Sequence, residues 1–199
     1  MPDDKRGREK QARNADRRQR ERAMAAELER MDELEPVFDE GELARFETQL
    51  EELSFPATGT DIVSEMGHQK LDGIEETYSV AELLPATEGE TYREPRRVRQ
   101  QIERPTVAKA MKRILEEAET FQHTELRGSQ REAYEKTFLE LEAIDAVDED
   151  QGIAVVREWI IDELHENGEL PGSRSVRRQA AKFCRNSGYE VRSDEWLGI

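Results

Sequence analysis

Strong core-forming residues are spread so unevenly along this chain that its opening stretch cannot take part in an ordinary hydrophobic core. Leu, Ile, Val and Phe total 40 of the 199 residues, and residues 1–35 hold only Leu28 and Leu34 of them. With a formal net charge of −16, such a chain stands at the border between folding and disorder. The other 38 fall in the 164 residues from position 36 onward, enough for a modest core. The sequence therefore predicts a charged arm over 1–35, disordered or a lone helix, ahead of a folded body.

Charge follows the same division. Residues 1–22 carry nine cations against five acids, while 36–104 and 105–166 are each net −9 and 167–199 is net +2. Charged residues make up 38% of the chain, well above the roughly 25% of ordinary domains, and 23 of its 30 cations are Arg. Hydrated carboxylates with little Lys suit a high-salt cytoplasm, where dense salt screens self-repulsion. An acidic protein from a GC-rich genome is the alternative. The single cysteine, Cys184, excludes an intrachain disulfide and fits a reducing cytosol. The longest apolar run, Ile153–Val156, is far short of the roughly 20 residues that span a bilayer. No hydrophobic segment follows the N-terminal cations, so a secretory signal is not expected. The expected location is cytoplasmic, without membrane association.

Periodicity points to a mainly α fold. Leu43, Phe46, Leu50 and Leu53 predict an amphipathic helix over 40–53. A short helix from Thr58 to Glu65 follows, with Ile62 and Val63 inward. Residues 66–80 read as a small β-hairpin or an irregular loop. Ser79 and Glu82 form a capping box that opens a helix ending before Pro85. A loop over 86–93 leads to a helix near 94–103. The second half reads as a helical bundle. Pro105 starts its clearest helix, with Val107, Ala110, Met111, Ile114, Leu115, Ala118 and Phe121 on one stripe. A break at 123–128 precedes a helix capped by Ser129 and Glu132. Asp148–Asp150 place negative charge at the start of a helix over 150–166. Ser173 caps a last helix reaching Ser187, and a stub strand follows near 189–192. Three parts result: the arm, a small short-helix domain over 36–104, and a C-terminal helical region over 105–199.

Within the middle part, the pattern Leu50-x-x-Leu53-x-Phe55-Pro56-Ala57-Thr58, then Ile62-Val63, Met66-Gly67, Leu83-Leu84-Pro85, Glu90-Thr91-Tyr92 and Val98 resembles a short haloarchaeal domain. That domain is the domain-of-unknown-function family 5789, akin to a broader bacterial family. The resemblance covers about 48–104 and rests on structural anchors. It implies a halophilic source but no functional residue. The long C-terminal extension departs from short members of the family.

Few constellations point to chemistry. Glu65 with His68, and Asp162 with His165, have the i, i+3 spacing of bundle metal sites, but Gly67 interrupts the first and further inward carboxylates are missing. Cys184 lies among Val176, Ala180 and Phe183 and reads as a core residue rather than a reactive thiol. There is no nucleophile elbow, phosphate loop or dinucleotide fingerprint. No catalytic, cofactor-binding or metal residue is expected. The distinctive feature is the last helix. Arg174, Arg177, Arg178, Lys182 and Arg185 line its outer side, with no acid between Leu170 and Tyr189. That face is solvated, docks on the acidic helix 105–121, or contacts a partner. A basic second helix also echoes helix-turn-helix proteins, although a join of about seven residues exceeds the usual 3–4. Trp196 and Leu197 give an apolar C-terminus that either docks on the core or contacts another protein. These features predict a non-catalytic protein-interaction or regulatory protein of a halophilic cytosol. The alternative is a nucleic-acid-binding protein using residues 174–185, and the third reading is an enzyme with an unrecognised site.

Overall fold

The computed structural model describes residues 36–121, 126, 128–144 and 151–189. The expected arm, the acidic Asp148–Asp150, most of the 123–128 break, the stub strand beyond Tyr189, and Trp196 and Leu197 lie outside the described residues. The fold is mainly α, with two small antiparallel strand pairs.

Asp39 opens α1 (Glu40–Leu50) by accepting the Gly41 N–H at 2.8 Å. Leu43, Phe46 and Leu50 are buried along one stripe. The helix stops at Leu50, and Leu53 joins the core from the turn that follows. β1 (Ala57–Thr58) leads directly into α2 (Gly59–Met66), where Thr58 and Asp61 close a reciprocal capping box. The Thr58 backbone N–H and hydroxyl both donate to the Asp61 carboxylate and hold its pKa below the ordinary value. Ile62 is buried, whereas Val63 is only half-buried. The hairpin forms from β2 (Lys70–Asp72) and β3 (Thr77–Ser79), pairing Leu71 with Tyr78. Ser79 then opens α3 (Val80–Leu83), its N–H and hydroxyl donating to the Glu82 carboxylate at 2.6 and 2.8 Å. The expected 86–93 loop contains β4 (Thr91–Tyr92), which pairs with β1. α4 (Pro95–Ile102) completes this half. Its Arg99 binds Glu40 at 2.5 Å and Glu47 at 3.0 Å, fastening α4 to α1. Phe38, Phe46, Leu50, Ile62, Leu71 and Ile102 are among the residues of this first core.

The second core is a ring of four helices: α5 (Pro105–Glu119), α6 (Gly128–Ile144), α7 (Gln151–Asn167) and α8 (Ser173–Ser187). α5 packs on α6 and α7, and α8 packs on the same two. The expected stripes point inward: Val107, Met111 and Ile114; Tyr134, Phe138 and Leu141; Ile153, Val156 and Ile160. Ile161, expected on a flank, is also buried. Two helix starts are shifted. α6 begins at Gly128, so Ser129 is inside its first turn rather than at its cap. α8 takes Gly172 as its N-cap, with Ser173 as its first residue. Offsets of one or two residues are within the ambiguity of sequence-read ends, because nearby polar residues offer similar caps.

The described residues from Pro36 onward belong to one compact unit holding both cores. α5 connects them: Ala108 belongs to the first core and Val107, Ala110 and Met111 to the second. A polar network fastens the seam. Arg131 of α6 reaches Glu90 at 3.0 Å and the Gln101 side-chain oxygen at 2.7 Å, and the Tyr92 hydroxyl donates to that same oxygen at 2.8 Å. Burial pushes the Glu90 carboxyl and the Tyr92 hydroxyl above their ordinary pKa values, against the pull of Arg131 on both.

Candidate interaction surface

The basic face of α8 is positioned by its opposite side. Val176, Ala180, Ala181 and Cys184 are buried, anchoring the helix on α6 and α7. Cys184 is thus a core residue. The turn that launches α8 is held from α6, where the Tyr134 hydroxyl and the Gln130 amide both donate to the Pro171 carbonyl, the latter at 2.9 Å. Desolvation lifts the Tyr134 hydroxyl to about 12, so it donates as a neutral phenol. At the far end, Gly188 takes a left-handed conformation (φ 81°), and the Tyr189 N–H returns to the Cys184 carbonyl at 2.9 Å. The start of the basic face is therefore fixed to the bundle, and its far end is closed by the helix's own cap.

Arg174, Arg178, Lys182 and Arg185 are all exposed. Their 4, 4, 3 spacing makes one straight stripe of roughly 16 Å at 1.5 Å per residue. Arg177 stands on the shoulder of the helix, half-buried, with its Nε occluded and without a hydrogen-bond partner. It was expected on the outer face, but 100° per residue rotates it toward the contact with the bundle. None of the five cations forms an ion pair among the described residues. Docking of this face on helix 105–121, one of the alternatives, is not seen among the described residues, where α8 packs chiefly on α6 and α7. The acids of α5 have other partners. Glu116 and Glu119 accept the Ala86 and Glu88 N–H groups, and Glu117 meets His165 at 3.2 Å.

The connection from α7 to α8 runs over residues 168–172, shorter than the seven expected. α7 extends to Asn167, and Ser173 is already helical. Five residues are still more than the 3–4 of a helix-turn-helix. The two His–acid spacings lead to separate places. Glu65 and His68 are both exposed at the end of α2, and His165 stacks on Phe121 with centroids 5.5 Å apart. Among the described residues no group of three or more His, Cys, Asp and Glu gathers for a metal, and no helix is long and apolar enough to cross a membrane.

Sequence reading did not single out the cations that line a second face. Lys109, Lys112 and Arg113 of α5 and Arg157 of α7 border a groove beside α3. The stretch from Arg104 to Leu115 holds four cations and no acid, a signal hidden by the strong apolar stripe of the same helix.

Residues 40–114, from α1 into α5, match the model of a family of unknown function (DUF5789). The match is wider at both ends than the anchors at 48–104, because α1 and the seam helix α5 pack on the first core. No curated protein and no solved structure matches the chain.

Proposed function

We propose that this chain, which matches that family and continues into a helical bundle, is a non-catalytic protein-interaction or regulatory module of a halophilic cytosol. Its contact is the α8 stripe, and its partner presents an acidic protein surface. The observation that carries this reading is the set of exposed cations at Arg174, Arg178, Lys182 and Arg185, without an ion pair among the described residues, on a chain of net charge −16. A chain with 46 acids has abundant carboxylates for internal pairing, yet residues 171–189 contain none. Three of the four stripe residues are Arg, whose planar fork binds carboxylates through two parallel hydrogen bonds. Such short-range pairs hold where long-range attraction is screened.

The nucleic-acid reading is favoured by one observation, the α7–turn–α8 arrangement with a basic second helix. Salt weighs against it. Four phosphate contacts give a slope of about −3.6, so going from 0.1 to 2 M salt removes between about four and five decades of affinity. An electrostatic footprint alone does not hold DNA there.

The test compares the full chain with Arg174→Glu/Arg178→Glu/Lys182→Glu in 2 M KCl. Affinity purification should recover an acidic partner with the native chain and lose it with the variant, while duplex DNA should bind neither. Sub-micromolar binding to a defined DNA site at that salt, abolished in the variant, would transfer the stripe to the nucleic-acid reading. Equal partner recovery by both proteins would remove the stripe from function altogether.

A further inference from the structure

The groove beside α3 has a volume of about 460 Å³ and lies between α3, α5 and α7. Its charge runs against that of its surroundings. Residues 105–166 contain seven cations and 16 acids, yet Lys109, Lys112, Arg113 and Arg157, four of those seven, gather at this one groove. Three acids also line it, and each is already engaged. Glu82 accepts the Ser79 N–H and hydroxyl. Glu116 accepts Lys112 and the Ala86 N–H. Glu158 pairs with Arg157 at 2.6 Å.

The cations retain capacity. Arg113 is exposed and has no hydrogen bond or ion pair among the described residues. Lys109 forms no ion pair among the described residues, though its charge adds to the Ser79 hydrogen bonds in holding the Glu82 carboxyl below its ordinary pKa, and its ammonium sits 4.6 Å from the centre of the Tyr78 ring. Lys112 and Arg157 each use only part of their donor set on one carboxylate. Each of the three acids uses a single oxygen in these contacts, so the lining keeps some acceptors, but four cations against three acids leave it one positive charge in excess, with Arg113 the cation that meets none of them. A ligand that satisfies it is an acceptor-rich anion with several oxygens spread over the width between two helices.

We infer that this groove binds a small phosphate-bearing ligand, its oxygens bridging Lys109 and Arg113 of α5 to Arg157 of α7. Two lysines supply point charges and two arginines supply planar forks, the pair of cation types used for phosphate groups. The site is separate from the α8 stripe and stands or falls independently of it.

The test is a backbone amide NMR titration of the full chain at the lowest KCl concentration that preserves helical circular dichroism. Inorganic pyrophosphate and AMP serve as parallel probes. Saturable shifts should concentrate around Lys109, Arg113 and Arg157, and the probe that saturates first identifies diphosphate or nucleotide as the better fit. Lys109→Gln/Arg113→Gln should weaken that probe by about tenfold or more, the loss of two charge-assisted contacts. Lys136→Gln, an exposed cation on α6, should change it by less than about twofold. Shifts confined to α8, an unchanged affinity in the double variant, or no saturation by either probe at 10 mM would each overturn the site.

Discussion

Gly59 marks where the missing side chain matters more than any that is present. Its N–H donates to the Glu90 carbonyl at 2.9 Å, and a Cβ there would lie 2.1 Å from the Pro85 carbonyl oxygen. Both neighbours are backbone and cannot swing aside. Gly59→Ala should cost at least about 2 kcal/mol in a denaturant melt; a loss under about 0.5 kcal/mol would show that the 85–90 segment yields. Nothing in the local sequence distinguishes this glycine from a turn residue, because the crowding comes from a segment far along the chain. The same is true of Glu90 and Arg131, whose pairing joins two distant stretches. Burial raises the folded pKa of Glu90 above its ordinary value of 4.5. The fold thus favours its neutral form. That contribution is fully present below the ordinary value and is lost as pH rises through the raised one. Glu90→Gln keeps an acceptor for Arg131 but has no proton to lose. The melting temperature of the variant minus that of the native chain should therefore grow more positive from about pH 4 to about pH 7. A difference that stays flat across this range would refute the burial argument.

Elements were legible where an apolar period ran for three turns or more. The stripes of α5, α6 and α7 point into the core as the spacing predicts. Strands were harder: β1 and β4 are two residues each, too short for an alternating pattern to register. The start of α2 was legible to within one residue, although the Thr58–Asp61 box that fixes it was not read. For the candidate site, the basic character of α8 was legible in full, but its division into an outer stripe and a shoulder was not, since the rotation that turns Arg177 inward depends on which residues the bundle buries. That division has a consequence for stability. Arg174, Arg178 and Lys182 touch no partner among the described residues, so reversing all three charges should alter unfolding free energy by less than about 0.5 kcal/mol per site. Ala180 is fully buried against α6 and α7. Ala180→Asp places an unpaired carboxylate there and should cost several kcal/mol, of order 3–5. Loss of folding in the triple variant, or a native-like melt for Ala180→Asp, would mean that α8 presents its other side to solvent.

At the scale of the whole molecule, two small cores share one helix under a large negative charge. α5 contributes Ala108 to the first core and Val107, Met111 and Ile114 to the second. Neither core is complete without it, so the two should lose structure together. What opposes their assembly is self-repulsion: 46 acids against 30 cations leave a net charge of −16 on 199 residues. The ion pairs that offset this, such as Arg99 with Glu47 and Lys112 with Glu116, are few beside the acids that face solvent. Screening supplies the rest. At about 0.1 M salt charges act over about 10 Å, a distance that joins neighbouring helices, whereas at 1 M their reach falls to about 3 Å, within a single side chain. The halophilic reading therefore expects helical circular dichroism to be lost on dialysis below about 0.1 M salt, in one transition rather than two. The melting temperature should climb as salt rises toward about 3 M, with potassium chloride and the more strongly excluded sulfate salts both effective and sulfate the more so. If helicity and melting temperature are the same from 0.1 to 3 M, repulsion is not limiting, and the acidity of this chain belongs to the composition of its genome rather than to a salty cytosol.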